Sequence, residues 1–377
     1  ELNLYAEFAA DYIVRRDPNG YWCNWTGSSY VNPLAGINGA IHDIKEAPNG
    51  DIYVSGMFTS AGGKANTKGI ARWSKANQAW EAVGNPVTGA TITSINTMAF
   101  DANGDLYVGG TFNNLAGIAN ADYFAKYTFS TNTWSAVGSG INHSVYDIAI
   151  APNGTIYIGG LFTTASGNNN CLRIAYWSGT AWAPLATGLN NYVRTLKFAP
   201  DGRLLIGGSF TNADGTNGDY ICWWDGSAFK SFADLGATEL NNPVISIDIN
   251  PNGTIIIGGD FTDAGGDPNA DYVAAWRGNN WGSLMAGGLS GGLAQNIVNK
   301  VYCASNGDIY VSGNFTRAGN IVVDRIARSV GGAWQRIDIE LPKHLTPIIA
   351  FFEASDRTMY LGGEFSTTVS GENAISS

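Results

Sequence analysis

The sequence predicts an all-β fold assembled from seven copies of one four-stranded unit, and three observations carry that prediction. A segment with the pattern of residues 153–162, NGTIYIGGLF, recurs seven times along the chain. The strand-like runs that precede these copies start 48 to 54 residues apart, a length that accommodates four short strands. Glycine is abundant, at 49 residues, and charged residues make up only 14%, which is typical of β-rich repeat proteins with tight turns.

The third copy shows how one unit is read. Residues 145–150 alternate apolar and mixed side chains as a packed strand does, and Asn153-Gly154 then closes a hairpin because this dipeptide tolerates positive φ. Residues 155–160 form the second strand, residues 173–177 the third, and the fourth surrounds Trp182. The first strands of the seven units start at Ile41, Ile95, Val145, Val193, Val244, Val298 and Ile348.

About fifty residues with four strands is the size of one propeller blade. We therefore predict that residues 1–377 form a single domain, a seven-bladed β-propeller of four-stranded blades. The seventh unit lacks its last two strands, and residues 10–16 resemble residues 121–127 of the second unit, with Trp22 matching Trp134. We expect residues 10–26 to complete the last blade by pairing N-terminal with C-terminal strands, which leaves no free sheet edge.

The residue types that recur in every unit fit this architecture. Aromatic residues of the third and fourth strands, such as Trp177 and Trp182, are expected to fill the wedge between neighbouring blades. The paired small residues, such as Gly159 and Gly160, allow a close approach where a Cβ would clash. The four cysteines show no CxxC spacing, and Cys222 and Cys303 stand where other units have apolar residues. We expect both to be small buried residues.

One segment carries a resemblance to a known family. Residues 127–138, YTFSTNTWSAVG, are close to the YDPxTNTW pattern of the kelch repeat, and Trp73 and Trp80 have the same spacing. The chain resembles kelch-like propellers of large surface and tail proteins in bacteria and phages, although its FTxAGG tail after the double glycine departs from that pattern. The resemblance implies a propeller, and an extracellular, cell-surface or virion location; fold likeness says less about activity.

Charge and hydropathy exclude two classes of partner. The net charge is −10, and the 21 Lys and Arg residues are scattered rather than gathered in a basic stripe, so nucleic-acid binding is not expected. No apolar run approaches the roughly 18 residues that a membrane-spanning helix needs, so membrane insertion is not expected either. The chain starts at Glu1, and we expect it to be a processed protein or part of a larger polypeptide or assembly.

The titratable residues give little support for catalysis. The three histidines, His42, His143 and His344, fall in separate units, so a shared metal is not expected. Glu46 and Glu353 occupy equivalent positions in adjacent blades, where two carboxylates can separate their pKa values for acid–base work, but side chains at an exposed strand end are the simpler interpretation. Enzyme activity therefore stays open. We favour a binding role and assign no catalytic residue.

A calcium site is the one metal site that the sequence suggests. Asp260, Asp263, Asp267 and Asp271 make residues 260–271 the most acidic loop of the chain, and hard cations bind oxygen ligands. The loop lacks the alternating Asp spacing of known calcium loops. We expect a solvated turn there and no cofactor.

The loops differ most between units. The second-to-third and fourth-to-first loops meet on one face of a propeller, and binding residues concentrate on loops that a rigid scaffold holds. The candidate ligand-binding residues are Asn168, Asn170, His143 and His344. We expect a non-catalytic binding or structural module of a secreted, cell-surface or phage-tail assembly, which recognises a protein or a glycan in adhesion. The alternative is a hydrolase or lyase that acts on a polysaccharide in the axial depression.

Overall fold

The computed structural model describes residues 13–16, 22–24, 36–213, 215, 218–292, 297–337 and 348–364. In these ranges nearly all regular structure is β-strand, and the helices are two short 3₁₀ segments, Leu115–Gly117 and Phe232–Leu235. No described helix is long and apolar enough to cross a bilayer. The predicted all-β propeller fold is confirmed. The candidate His344 lies outside the described residues.

Seven four-stranded antiparallel sheets, numbered here 1 to 7 by their first strands, contain most of the strands. The first strands are Ile41–Glu46, Thr91–Phe100, Val145–Ile150, Val193–Phe198, Val244–Ile249, Val298–Cys303 and Ile348–Glu353. The second strands are Ile52–Gly56, Leu106–Asn113, Ile156–Gly160, Leu204–Gly208, Ile255–Gly259, Ile309–Gly313 and Met359–Gly363. The third strands are Ile70–Ser74, Phe124–Thr128, Ile174–Trp177, Ile221–Trp224, Val273–Trp276, Ile326–Val330 and Ile13–Arg16. The fourth strands are Ala79–Glu81, Thr133–Ala136, Trp182–Pro184, Phe229–Ser231, Trp281–Ser283, Ala333–Arg336 and Trp22–Asn24.

A small three-stranded sheet joins Leu289–Ser290, Arg317–Ala318 and Ile321–Val322. It belongs to the loops around sheet 6. In that sheet the second-to-third connection pairs with the connection that leads into the first strand. The loops of this face are thus held together by backbone hydrogen bonds as well as by side chains.

Sheet 7 joins strands from the N-terminal and C-terminal parts of the chain. Ile13–Arg16 pairs antiparallel with Met359–Gly363 on one side and with Trp22–Asn24 on the other. The first strands of the seven sheets contact one another in chain order, and Ile348–Glu353 also contacts Ile41–Glu46. These contacts support the predicted count of seven blades and the predicted joining of the two ends of the chain in one blade.

The packing between sheets uses the residues that recur in the sequence. A Cβ on Gly159 would lie 2.3 Å from Cγ1 of Val193 in the next sheet. The first glycine of the pair therefore leaves room for the first strand of that sheet. The indole N–H of Trp182 donates to the carbonyl oxygen of Val137 at 3.0 Å, and that of Trp134 donates to the carbonyl oxygen of Val83 at 2.9 Å. Both tryptophans are buried, which confirms that fourth-strand aromatic residues fill the inter-blade wedge.

The two cysteines predicted to be buried differ in their exposure. Cys222 is completely buried in sheet 4, whereas Cys303 is half-buried at the end of its strand. Burial raises the pKa of both thiols, so they stay protonated at neutral pH. The prediction is confirmed in full for Cys222 and in part for Cys303.

The turn between the third and fourth strands of sheet 4 gives a pH-dependent prediction. Asp225 accepts hydrogen bonds from the backbone N–H groups of Ala228 and Ser227 and from the Ser227 hydroxyl, which lower the pKa of its carboxyl to about 2. A carboxyl pKa below its unfolded value adds stability above that value, and this stability is lost as the pH falls through the folded pKa. We expect Asp225→Ala to destabilise the fold at pH 7 and to have less effect at each step from pH 4 to pH 2, measured by denaturant unfolding.

The equivalent turn of sheet 3 supplies the control. There the Ser178 hydroxyl accepts the backbone N–H of Ala181 at 3.2 Å and does not titrate. Ser178→Ala should therefore cost the same free energy of unfolding at every pH in this range. A pH-independent loss for Asp225→Ala would contradict the assignment of the depressed pKa to these hydrogen bonds.

Candidate functional site at the axial mouth

Each of the seven first strands carries a β-bulge close to the loop-rich face. The register of pairing with the second strand shifts by one residue there, for example between Val145 and Asp147, which leaves Tyr146 unpaired. A bulge re-aims the side chain of the extra residue. The bulged residues form what we call the mouth ring, and they are His42, Asn96, Tyr146, Arg194, Ile245, Asn299 and Ile349.

The mouth ring is continuous with an aromatic and cationic surface on sheets 3 and 4. The exposed Arg194 places its guanidinium carbon 5.0 Å from the ring centre of Tyr146 and 5.8 Å from that of Tyr192. The guanidinium of Arg173 lies 5.6 Å from the ring centre of Tyr192. Cation–π contacts of this kind hold long side chains in fixed positions. We call Tyr146, Arg173, Tyr192 and Arg194 the mouth patch.

The candidate His143 lies on the same face. Its exposed imidazole stacks on Tyr123 with ring centres 6.0 Å apart. The backbone N–H of Ser144 donates to Nδ1 of His143 at 2.8 Å, so the proton of the neutral ring is on Nε2. His143 can therefore donate a hydrogen bond to a ligand at this face.

The two asparagine candidates belong to the second-to-third loop of sheet 3. Asn168 is half-buried, and its Oδ1 accepts the backbone N–H of Asn170 at 3.0 Å, which shapes the turn. Asn170 is exposed. Asn168 thus has a structural use for its side chain, while Asn170 stays a candidate for ligand contact.

Six charged residues lie on the first strands below the mouth ring, at the third or fifth position of the strand. They are Asp43, Lys45, Asp147, Lys197, Asp248 and Lys300, and we call them the axial girdle. Lys45 Nζ lies 2.9 Å from Asp43 Oδ1, and Lys197 Nζ lies 2.6 Å from Asp248 Oδ1. Each ion pair gives a largely buried carboxylate a cationic partner whose own side chain reaches solvent.

The three girdle carboxylates also connect neighbouring sheets. Oδ2 of Asp43 accepts the backbone N–H of Met98 at 2.8 Å, and Oδ2 of Asp147 accepts that of Leu196 at 2.8 Å. Oδ2 of Asp248 accepts the backbone N–H of Cys303 at 2.7 Å. Each bond runs from one sheet to the next, so these aspartates help to hold the inner strands in place.

The girdle charges interact across the axis. Burial raises the pKa of Asp147, while the ammonium groups of Lys300 and Lys45, from sheets 6 and 1, oppose the rise. Burial lowers the pKa of Lys45, but Asp43, Asp147 and Asp248 outweigh that effect and raise it. Our sequence analysis missed this cluster. The available signal was a charged residue at the third or fifth position of five first strands, because these positions face the axis.

Glu46 and Glu353 do not form a carboxylate pair. Oε2 of Glu46 accepts the backbone N–H of Ser355 at 2.7 Å, and Oε2 of Glu353 accepts that of Ser305 at 2.7 Å. Each glutamate thus binds the first hairpin turn of the sheet that precedes its own. Neither interpretation is confirmed, because both side chains are largely buried and tie neighbouring sheets together rather than lying at an exposed strand end.

The acidic loop of sheet 5 is organised by its own hydrogen bonds. Asp263 Oδ1 accepts the backbone N–H of Gly266 at 2.9 Å, and Asp267 accepts those of Asn269 and Ser283, both at 2.9 Å. Burial raises the pKa values of Asp260 and Asp271. Within the described ranges no three His, Cys, Asp or Glu side chains are placed to hold a metal ion.

Two family models match parts of the chain, and both describe propellers. Residues 24–138 match the Rax2 C-terminal beta propeller domain, and residues 199–222 match a beta-propeller domain of unknown function, DUF5122. Neither is a kelch model, and neither match reaches half of the chain. A search of curated protein sequences finds no match.

Solved structures with a similar fold include several kinds of propeller. One is the extracellular domain of a protein described as a hybrid two component system from B. thetaiotaomicron, with a TM-score of 0.55 and 13% identity over 87% of this chain and 37% of that chain. U3-55K gives a TM-score of 0.54 at 12% identity over 88% of this chain and 97% of that chain. YCF48, solved bound to a D1 peptide, gives 0.51 at 14% identity over 90% and 95%. The chain thus spans little more than a third of the first structure, and these identities show the fold alone.

Proposed function

We propose that the chain is a non-catalytic recognition module that binds an acidic segment of a partner protein at its axial mouth. The observation that carries the proposal is the mouth patch, in which exposed Arg194 lies between the rings of Tyr146 and Tyr192. Arginine and tyrosine are the side chains most enriched among residues that dominate binding energy at protein interfaces.

Charge favours an acidic partner. Two guanidinium groups, those of Arg173 and Arg194, lie close together on a chain whose net charge is −10. A local cationic surface attracts negative groups, while the acidic remainder of the protein repels them elsewhere, so the surface contributes specificity. The held geometry of the two arginines lowers the entropic cost of pairing with carboxylates.

The setting of the module is also a proposal. The similar extracellular domain and the resemblance of residues 127–138 to a kelch repeat support a secreted, cell-surface or phage-tail assembly. The peptide bound to YCF48 supports recognition of a protein segment by a propeller of similar fold. Glycan recognition is the competing outcome in the experiment that follows.

Binding to arrays tests the proposal directly. We would screen the full chain against an array of synthetic acidic and neutral peptides and against a glycan array, each with and without calcium. Acidic peptides should bind, and Arg194→Ala should weaken their binding at least tenfold, which corresponds to about 1.4 kcal/mol. Isothermal titration with the strongest peptide would give the affinities.

Arg203 provides a matched control for Arg194. It stacks on Trp223 with its guanidinium carbon 5.2 Å from the ring centre, but it follows a first-hairpin turn on the opposite face. Arg203→Ala should leave peptide binding unchanged. Equal losses in the two variants, or binding of glycans alone, would overturn the proposal. Calcium-dependent binding would show that a metal ion takes part in recognition.

A second candidate function, a hydrolase or lyase acting on a polysaccharide in the axial depression, is favoured by one observation. Asp147 is a carboxylate in the axial girdle whose pKa burial raises, and carboxyl groups of this kind are candidates for acid–base catalysis. Degradation of an arrayed polysaccharide by the wild-type chain, abolished by Asp147→Asn, would establish this function and exclude a purely binding role.

A further inference from the structure

Two charged residues of the axial girdle, Asp147 and Lys300, take part in neither of its ion pairs. Lys45 pairs with Asp43 and Lys197 pairs with Asp248. Asp147 and Lys300 have opposite charges, yet among the described residues neither has an ion-pair contact within 4.0 Å. They belong to sheets 3 and 6, which are not neighbours, and both side chains are half-buried.

Asp147 is held in position by the backbone. Its Oδ1 accepts the N–H of Ile148 at 2.9 Å, and its Oδ2 accepts the N–H of Leu196 at 2.8 Å. The Thr97 hydroxyl lies 3.3 Å from Oδ1. These bonds fix the carboxylate without neutralising its charge, because none of the donors is a cation.

Access to the two charges comes from the mouth ring. Tyr146 and Asn299, the bulged residues of sheets 3 and 6, directly precede Asp147 and Lys300 in their strands. Both bulged side chains are half-buried rather than sealed into the core. The charged residues at the position after the bulge are Asp43, Asp147 and Lys300, and Asp43 is already paired with Lys45. Asp147 and Lys300 are therefore the charges of this layer that remain for a small molecule at the mouth.

We propose that Asp147 and Lys300 form a binding site for a small zwitterion, whose ammonium group binds Asp147 and whose carboxylate binds Lys300. A half-buried charge gains most from a partner that compensates it directly. A simple anion would bind Lys300 but be repelled by Asp147. A simple cation would bind Asp147 but be repelled by Lys300. A zwitterion satisfies both groups and adds no net charge to the girdle.

A series of ω-amino acids tests this site and measures the separation that it selects. The full chain would be titrated calorimetrically with glycine, β-alanine, 4-aminobutyrate and 6-aminohexanoate, and its melting temperature would be followed with each. At least one member should bind and raise the melting temperature, as a ligand of the folded state must. Acetate and methylammonium, which carry one charge each, should bind at least tenfold more weakly.

Two variants and a control locate the binding. Lys300→Gln should weaken binding of the preferred ω-amino acid at least tenfold, and Asp147→Asn should do the same. Lys230→Gln, at an exposed lysine off the axis, should change nothing. The site is ruled out if no member binds the wild-type chain, if Lys300→Gln binds normally, or if acetate binds as tightly. If Asp147→Asn fails to fold, Lys300→Gln decides. Peptide binding is tested with Arg194→Ala and zwitterion binding with Lys300→Gln. The proposed function and the zwitterion site can therefore fail independently.

Discussion

Replacing Gly208 by alanine will destabilise the fold by about 3 kcal/mol. A Cβ at this position would lie 2.0 Å from the backbone carbonyl oxygen of Tyr192, and 3.1 Å from Phe210 Cδ1. The backbone oxygen cannot rotate away as a side chain could, so either the second strand or the loop that leads into the first strand of sheet 4 must shift. Chemical denaturation of the variant and the wild-type chain measures the difference in the free energy of unfolding.

The same clash is built into five further sheets. The second residue of the small pair is glycine in each, and a Cβ there would lie 1.9 to 2.4 Å from a backbone oxygen. That oxygen belongs to the residue just before the first strand, or in sheet 2 to Ser94 within it; the five glycines are Gly56, Gly110, Gly160, Gly259 and Gly313. Gly282 is the control, since it lies in a fourth strand where a Cβ would meet nothing closer than 3.7 Å. Gly282→Ala should be neutral or slightly stabilising. Equal stability of Gly208→Ala and the wild-type chain would refute this account.

These glycines show what the sequence could predict. Their recurrence in pairs predicted a close approach, and the backbone oxygens in front of them confirm it. The fourth-strand aromatics were equally predictable, because Trp134 and Trp182 recur at one position and bury large apolar areas. A residue type that every repeat needs can be recognised from this one sequence, because the seven repeats can be compared with one another.

The residues that open the third strands could not be predicted in this way. Tyr123, Arg173, Tyr220, Tyr272 and Arg325 have φ between 59° and 66°, a region that bulky residues rarely adopt. Each N–H donates to the carbonyl oxygen of the phenylalanine that comes two residues after the paired small residues, as in Tyr123 to Phe112 at 2.9 Å. These tertiary hydrogen bonds thus override the preference of bulky residues for negative φ. In sheet 1 the equivalent residue is Gly69, whose identity makes the positive φ predictable from the sequence.

The candidate site escaped prediction for a related reason. The mouth ring consists of residues as different as His42, Arg194 and Ile349, since a bulge frees the side chain from any shared packing role. A search for residues that recur in every repeat therefore does not detect the mouth ring. The girdle was partly visible, because charged residues occur at the third or fifth position of five first strands, but their convergence depends on the ring that these strands form.

Replacing Ile13 by aspartate will cost about 4 kcal/mol or more of folding free energy, if both chain ends belong to one blade. Ile13 is completely buried in a cluster with Ile41, Ile44 and Tyr360, and its strand pairs with Met359–Gly363. Among the described residues, the side chains of that cluster are apolar or aromatic, so none of them compensates a carboxylate there. The charge would expel the N-terminal strand and expose the edge of Met359–Gly363, where other chains can pair.

Two readouts follow from that mechanism. Ile13→Asp should lower the denaturation midpoint sharply, and it should increase concentration-dependent association measured by light scattering. Arg15→Lys, on an exposed position of the same strand, keeps the charge and should behave like the wild-type chain. If Ile13→Asp unfolds with the wild-type midpoint, the N-terminal strand does not complete the last sheet, and the predicted closure of the ring is wrong. A loss confined to the variant at Ile13 would instead show that the two ends of the chain, more than 340 residues apart, stabilise the propeller together.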